Sequence, residues 1–156
     1  GVDVGGRWKE VADAWEQHAD GTLYPFNDWH AAMAYLGAGR RSKLEALRAR
    51  MRMAAMGDNE VAGWVGRIAM PLIDGFTAFH DGDWQKAVTL LHGVRFVAHQ
   101  QGGSHAQRDI IDWTMTEAAI RGGMRELATG FANERVALKA HSPLNRGFLK
   151  RAGALA

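Results

Sequence analysis

Apolar residues recur every three or four positions through most of this chain. The longest run covers residues 61–79, and a second, 84–97, follows the turn at 81–83. That spacing places apolar side chains along one face of an α-helix, and no run keeps the alternation of a β-strand. Pro71 lies inside the first run and predicts a kink or short break, because proline has no N–H for the helical ladder. The sequence therefore predicts an all-α fold.

The predicted helices come in pairs joined by glycine turns. Gly39, Gly82 and Gly123 each separate two helical runs, and small residues such as Ala32 and Gly75 lie seven positions before them. Small residues there let the two helices of a hairpin touch, as in tetratricopeptide repeats, although these glycines are more than about 34 residues apart. We predict one domain over residues 1–156, a stretched tetratricopeptide-like α-solenoid with antiparallel hairpins at about 28–56, 61–99 and 105–138 and a terminal helix at 143–154.

The composition is that of a globular domain. The 156 residues are 47% hydrophobic and 23% charged, so the chain can bury a sizeable core. Its 19 Lys and Arg nearly balance its 17 Asp and Glu, so the charge implies no strongly charged partner. The chain has no cysteine, which excludes disulfides and thiolate metal sites. No run is long enough to cross a membrane. We expect a cytoplasmic protein that needs no cofactor and binds neither membrane nor nucleic acid.

Three segments resemble the C-terminal part of the tetratricopeptide-repeat protein 38 family. They are Gly1-Val2-Asp3-Val4-Gly5 with Arg7-Trp8; Phe26-Asn27-Asp28 with His30-Ala31; and Gly102 to Asp109 followed by Ala137-Leu138-Lys139 and Ser142-Pro143-Leu144. The resemblance implies an α-helical repeat fold and a protein-interaction role, and it brings no catalytic residues. Family members are longer, so we expect residues upstream of Gly1. A cut there would expose an apolar end through which this piece could self-associate.

Polar groups are concentrated at residues 102–109. Ser104 followed by Gln107 predicts a capping box, so a helix should begin at His105. On its first turns, His105 and Asp109 are four positions apart, a spacing that suits two metal ligands or an acid/base pair. The structural alternative is that the cap explains Ser104 and Gln107 and that Arg108 pairs with Asp112. The second reading is favoured, which leaves His105 and Arg108 as candidates.

A second candidate stretch lies at residues 27–30. Asn27 or Asp28 can cap a helix that carries His30. In a regular solenoid one whole hairpin separates His30 from His105, which puts them on the order of 20 Å apart at ~8–10 Å between packed helices. A shared metal site is excluded at that distance unless the solenoid is strongly curved or the break at Pro71 displaces the middle hairpin. His30 is therefore predicted to be a buried, hydrogen-bonded residue.

The helix at 40–52 carries six Lys or Arg residues and one acid, Glu45. Such a face could bind phosphates or an acidic peptide. No aromatic residues interleave the cations and no nucleic-acid motif surrounds them, so a solvated surface is the preferred interpretation. The six tryptophans are assigned to the core, except that Trp29 could face a concave surface.

Our leading hypothesis is an interaction module that binds a peptide or partner helix on a concave face built from the first helices of the hairpins. Arg108 is expected to serve as a carboxylate clamp. The alternative hypothesis is part of an enzyme in which His105, Asp109 and His30 form a site completed by upstream residues. No catalytic or metal-binding residue is assigned. The candidate binding residues are Asn27, Asp28, His30, His105, Gln107, Arg108 and Asp109.

Overall fold

The computed structural model describes residues 4–155 and is built from helices that pack against their neighbours, with no β-strand in that range. Gly1 to Asp3 of the first family-like segment, and the last residue of the predicted domain, lie outside the described range. The helices are α1 (Arg7–Glu16), α2 (Pro25–Gly37), α3 (Arg41–Ala54), α4 (Glu60–Trp64), α5 (Met70–His80), α6 (Trp84–Val94), α7 (His105–Arg121), α8 (Arg125–Leu138) and α9 (Pro143–Gly153). The all-α prediction is confirmed.

Four helices begin where a short polar side chain accepts a hydrogen bond from the first turn. These caps are Asn59 for α4, Asp83 for α6, Ser104 for α7 and Ser142 for α9. Each satisfies a backbone N–H that has no partner inside its helix. The predicted cap of α2 is wrong: the helix begins at Pro25, so Asn27 and Asp28 lie inside it. Proline suits the first helical position because its φ is already helical and its missing N–H is not needed there.

The break predicted near Pro71 takes the form of a π-helical segment. Residues Val65–Ala69 are π-helical and join α4 to α5, which begins one residue before Pro71. A π turn absorbs an extra residue without ending the helix, so the chain continues to His80 with its bonding register changed.

Helices α5 and α6 fold back on each other across the turn at 81–83. A β-carbon added to Gly75 would lie 2.7 Å from Cδ2 of Leu91, so the small residue is what allows this close approach.

The sequence predicted that α6 would run to about His99, and this is wrong. The helix ends at Val94, and a short 3-10 helix, Ala98–Gln101, leads to the turn before α7.

The core lies along the contacts between successive helices and between α2, α5 and α7. Its largest fully buried side chains include Trp29, Leu47, Ile68, Leu91 and Met115. Trp29 thus belongs to the core, and not to a concave surface. No helix within residues 4–155 combines the length and apolarity needed to cross a membrane.

The cations of α3 are used mainly inside the molecule. Arg50 donates to the carbonyls of Ala19 and Asp20 at 3.1 and 3.0 Å. Three other cations of α3 form ion pairs with distant elements: Arg41 with Asp81, Lys43 with Glu16 and Arg48 with Asp74. This face is largely exposed, as predicted, and its cations also attach α3 to α1, to the α1–α2 connection, to α5 and to the turn after it.

Candidate functional site

The turn before α7 has the predicted capping box. Ser104 Oγ accepts a hydrogen bond from the N–H of Gln107 at 3.2 Å, and Gln107 Oε1 accepts one from the N–H of Ser104 at 2.8 Å. Gln107 is thus a capping residue. His105 is exposed on the first turn of α7, and its ring makes no hydrogen bond or ion pair with residues 4–155.

Arg108 folds back onto the turn that precedes its own helix. Its Nη1 donates to the carbonyl of Gly102 at 3.2 Å and to that of Gly103. The alternative pairing of Arg108 with Asp112 is wrong, because Asp112 accepts from Arg95 at 3.1 Å. The guanidinium therefore stabilises the glycine turn. A carboxylate ligand at Nη1 would have to replace these two hydrogen bonds.

Asp109 is held from the next helix. Both of its carboxylate oxygens accept hydrogen bonds from Arg135, each at 3.0 Å. Arg135 is only 6% exposed and also donates from Nε to Asn145 Oδ1 at 3.2 Å. A buried arginine needs such paired partners. Asp109 therefore joins α7 to α8 and α9 instead of orienting His105.

Asp109 also borders a cleft of about 210 Å³ at the contact of α7 and α8. We call it the charged cleft. Arg95 lies across it, donating from Nη1 to Asp112 and, at 2.8 Å, to Glu134. The lining residues are Arg95, Phe96, Asp109, Asp112, Thr116, Phe131, Glu134, Arg135, Leu138, Lys139 and Asn145.

His30 lies in an aromatic cluster at the start of α2. Its ring centroid is 4.2 Å from that of Phe26, 4.9 Å from that of Trp29 and 5.5 Å from that of Trp15. The Nδ1 atom is 2.8 Å from the carbonyl of Phe26. A carbonyl oxygen only accepts, so Nδ1 carries the proton. Burial lowers the pKa of His30, which keeps the ring neutral at pH 7. The ring is hydrogen-bonded as predicted, but His30 is half-buried where the sequence predicted a buried residue.

Asp28 is a buried carboxylate with one satisfied oxygen. Its Oδ1 accepts from the N–H of Gly21 at 2.9 Å, while Oδ2 has no hydrogen-bond partner in the described part of the chain. Burial raises the pKa of Asp28 to about 6. Asn27, next to it, is half-buried in the first turn of α2.

The two candidate stretches meet more closely than a regular solenoid predicts. A β-carbon added to Gly103 would lie 2.3 Å from Cε2 of Phe26, and one added to Gly102 would lie 2.4 Å from Oη of Tyr24. The start of α2 therefore packs directly against the turn before α7. The ring of Phe26 lies against both His30 and Gly103.

The candidate residues do not converge on one cavity. Asp109 lines the charged cleft, but neither His30 nor His105 does. Within residues 4–155, no three His, Asp or Glu side chains are grouped so that they could hold a metal ion.

A larger, apolar groove of about 410 Å³ was not predicted from the sequence. The sequence predicts that Trp8 and Trp84 belong to the core, yet Trp8 is exposed, and Trp84 and Phe79 are only partly buried. These rings lie at the edges of their apolar stripes, and that position is the sequence signal from which the groove could have been predicted. The groove is lined by Trp8, Met33, Leu36, Gly37, Phe76, Phe79, His80, Trp84, Ile110, Thr114 and Arg121.

One wall of the apolar groove depends on a glycine. A β-carbon added to Gly37 would lie 2.4 Å from Cδ2 of Trp8, so the indole packs directly on the backbone of α2. At the other side, the guanidinium of Arg121 lies 5.4 Å from the ring centroid of Phe79 and 5.5 Å from that of Trp84. Such cation–π contacts hold the arginine against the aromatic wall.

Comparison with known proteins adds no family to these observations. No protein-family model matches the chain. No solved structure matches it either.

Proposed function

We propose that this chain is a helical-repeat interaction module that binds a peptide segment or helix of a protein partner in the apolar groove. The observation that supports the proposal is the origin of the lining, because α2, α5 and α7 all contribute to it. These are the first helices of the three hairpins predicted from the sequence. In a tetratricopeptide-like solenoid the first helices form the concave, ligand-binding surface.

The composition of the groove favours an apolar segment as its ligand. Met33, Leu36 and Phe76 are apolar, as are the aromatic walls, and no carboxylate from the described residues lines it. Arg121, whose Nε donates to the carboxylate of Glu117 at 2.7 Å, supplies a permanent charge at one side. An amphipathic helix or an extended peptide with large apolar side chains would bury them against these rings, with neutral or acidic residues beside Arg121.

The tetratricopeptide-like arrangement belongs to the same proposal. It is supported by the close approach of α5 and α6 at Gly75 and by the short turns within each predicted hairpin. The resemblance to the tetratricopeptide-repeat protein 38 family agrees with it through residues 26–31 and 102–109. Those stretches pack together through Phe26 and Gly103, which suggests that their shared residues maintain the fold near the groove.

The enzyme hypothesis has less support. It required His30, His105 and Asp109 to share one cavity, whereas Asp109 is occupied by Arg135 and the histidines lie away from the charged cleft. We therefore propose a binding function and no reaction.

The groove can be tested with a matched pair of substitutions. Ile110 is 39% exposed in the groove, and Leu127 is 43% exposed on α8, outside its lining. A phage-displayed library of random 16-residue peptides is panned against the protein, and the affinity of each selected peptide is measured by fluorescence anisotropy. Ile110→Glu places a charge against the apolar ligand and should weaken binding at least tenfold, which is about 1.4 kcal/mol.

Leu127→Glu is the control and should bind with unchanged affinity. Circular dichroism spectra of both variants should match that of the parent protein. Peptides that bind the two variants equally well, or a library that yields no ligand, would contradict the proposal.

A further inference from the structure

The charged cleft shares no lining residue with the apolar groove, and its chemistry differs. We propose that it is a second site, which binds a small carboxylate with an apolar body. Arg95 is the residue expected to hold the carboxylate.

Arg95 is largely buried, and its hydrogen-bond donors are only partly satisfied. Its side chain is 10% exposed, and the guanidinium lies 4.5 Å from the ring centroid of Phe96 and 5.6 Å from that of Phe131. Only Nη1 donates to carboxylates of the described chain, those of Asp112 and Glu134. The Nε atom is buried without a hydrogen-bond partner among residues 4–155, and Nη2 makes no hydrogen bond to them. Buried arginine normally uses its donors in pairs.

The imbalance between donors and acceptors favours an anion as the ligand. Asp112 and Glu134 are 38% and 53% exposed, so water can satisfy their remaining lone pairs. The Nε atom of Arg95 has no such access to water, and Nη2 has no partner among the described residues. Lys139 adds an ammonium that pairs with no carboxylate in the described range. The cleft therefore contains cationic donors that lack a partner, whereas its exposed carboxylates can be satisfied by water.

A ligand carboxylate can enter by displacing Glu134. That side chain is the more exposed of the two partners of Arg95 Nη1, so its carboxylate can turn into solvent with little loss of hydration. The ligand would then occupy Nη1 and Nη2 together in the bidentate geometry that guanidinium favours. Glu134 is thereby a competitor for the site, and its removal should strengthen binding.

The walls of the cleft define the rest of the ligand. Phe131 is buried, whereas Phe96 and Leu138 are exposed at the mouth, and an apolar body would cover them. The volume of about 210 Å³ corresponds to about seven waters and is below the range of ~300–1,000 Å³ for sites of drug-sized ligands. The ligand is accordingly a small molecule.

The test uses three probes of similar shape and different charge: 3-phenylpropanoate, 3-phenylpropanamide and 3-phenylpropylammonium. Each is titrated into the protein at pH 7 and followed by 1H–15N NMR. The acid should bind saturably and shift the resonances of residues around Arg95, while the amide and the amine should bind at least tenfold more weakly. Equal binding of the amide, tighter binding of the amine, or no saturable binding of the acid overturns the proposal.

Two substitutions test the role of Arg95. Arg95→Lys keeps the charge but removes the fork, and it should weaken binding of the acid at least tenfold. Glu134→Gln should tighten binding severalfold. Arg125→Lys and Glu126→Gln are the matched controls on α8, because both residues are exposed and their side chains make no ion pair within residues 4–155. If Arg95→Lys does not fold, Glu134→Gln decides: unchanged or weaker binding refutes displacement by the ligand.

Discussion

The buried carboxylate of Asp28 makes a specific prediction about pH and stability. Its pKa is raised by burial from 3.8 to about 6. In the unfolded chain the carboxyl is hydrated and titrates near 3.8. Between these two pH values the folded protein holds a proton that the unfolded chain has released, so rising pH favours unfolding. The contribution of Asp28 to the unfolding free energy is therefore fully present below about pH 4 and is lost as the pH rises to 6.

The magnitude follows from the interval between the two pKa values. At 1.36 kcal/mol per pH unit, an interval of about 2 pH units corresponds to about 2 to 3 kcal/mol of unfolding free energy. Asp28→Asn removes the titration but keeps an oxygen that can accept from the N–H of Gly21. We expect the variant to match the parent protein near pH 4 and to exceed it in stability by about 2 kcal/mol at pH 7.5.

The assay is urea unfolding followed by tryptophan fluorescence at half-unit steps from pH 3.5 to 7.5. Other titrating groups are common to both proteins, so the difference in unfolding free energy isolates Asp28. Asp58→Asn is the control, because Asp58 is exposed and makes no side-chain hydrogen bond within residues 4–155. A difference that stays constant with pH, or that favours the parent protein at high pH, would refute the assignment of a destabilising buried charge.

Two further predictions concern contacts between helices. Gly75→Ala should lower the unfolding free energy by about 1 to 2 kcal/mol, because overpacking against Leu91 outweighs a gain of ~1 kcal/mol in helix propensity. Gly93→Ala is the control and should raise the unfolding free energy, because nothing lies within 4 Å of its new β-carbon. Equal effects of the two substitutions in thermal melts would exclude the close contact at Gly75. Burial alone would raise the pKa of Glu117, but hydrogen bonds from Arg151 and a neighbouring arginine outweigh this and lower it. Glu117→Gln should therefore cost about 1 to 3 kcal/mol at pH 7 and progressively less as the pH falls through the lowered pKa; a cost that does not depend on pH in urea unfolding would contradict this.

Part of the candidate site could be predicted because it is local. The capping box depends on two side chains three positions apart, and both the helix start at His105 and the roles of Ser104 and Gln107 are as predicted. The partners of Arg108 and Asp109 could not be predicted in this way. Arg108 donates to the carbonyls of its own turn, and Asp109 accepts from Arg135, which is 26 residues away. Several partners were within reach of each charge, and only packing selects among them.

The sequence alone determined the helical class of this protein and most of its helix starts, because apolar periodicity, caps and prolines act within a few residues of themselves. Tertiary structure decided which surfaces remain open. The π-helical segment before Pro71 and the contact of Phe26 with Gly103 set how α2, α5 and α7 lie together. From that arrangement come the apolar groove and the charged cleft, since a cavity is a property of several helices at once and no periodicity along one of them encodes it.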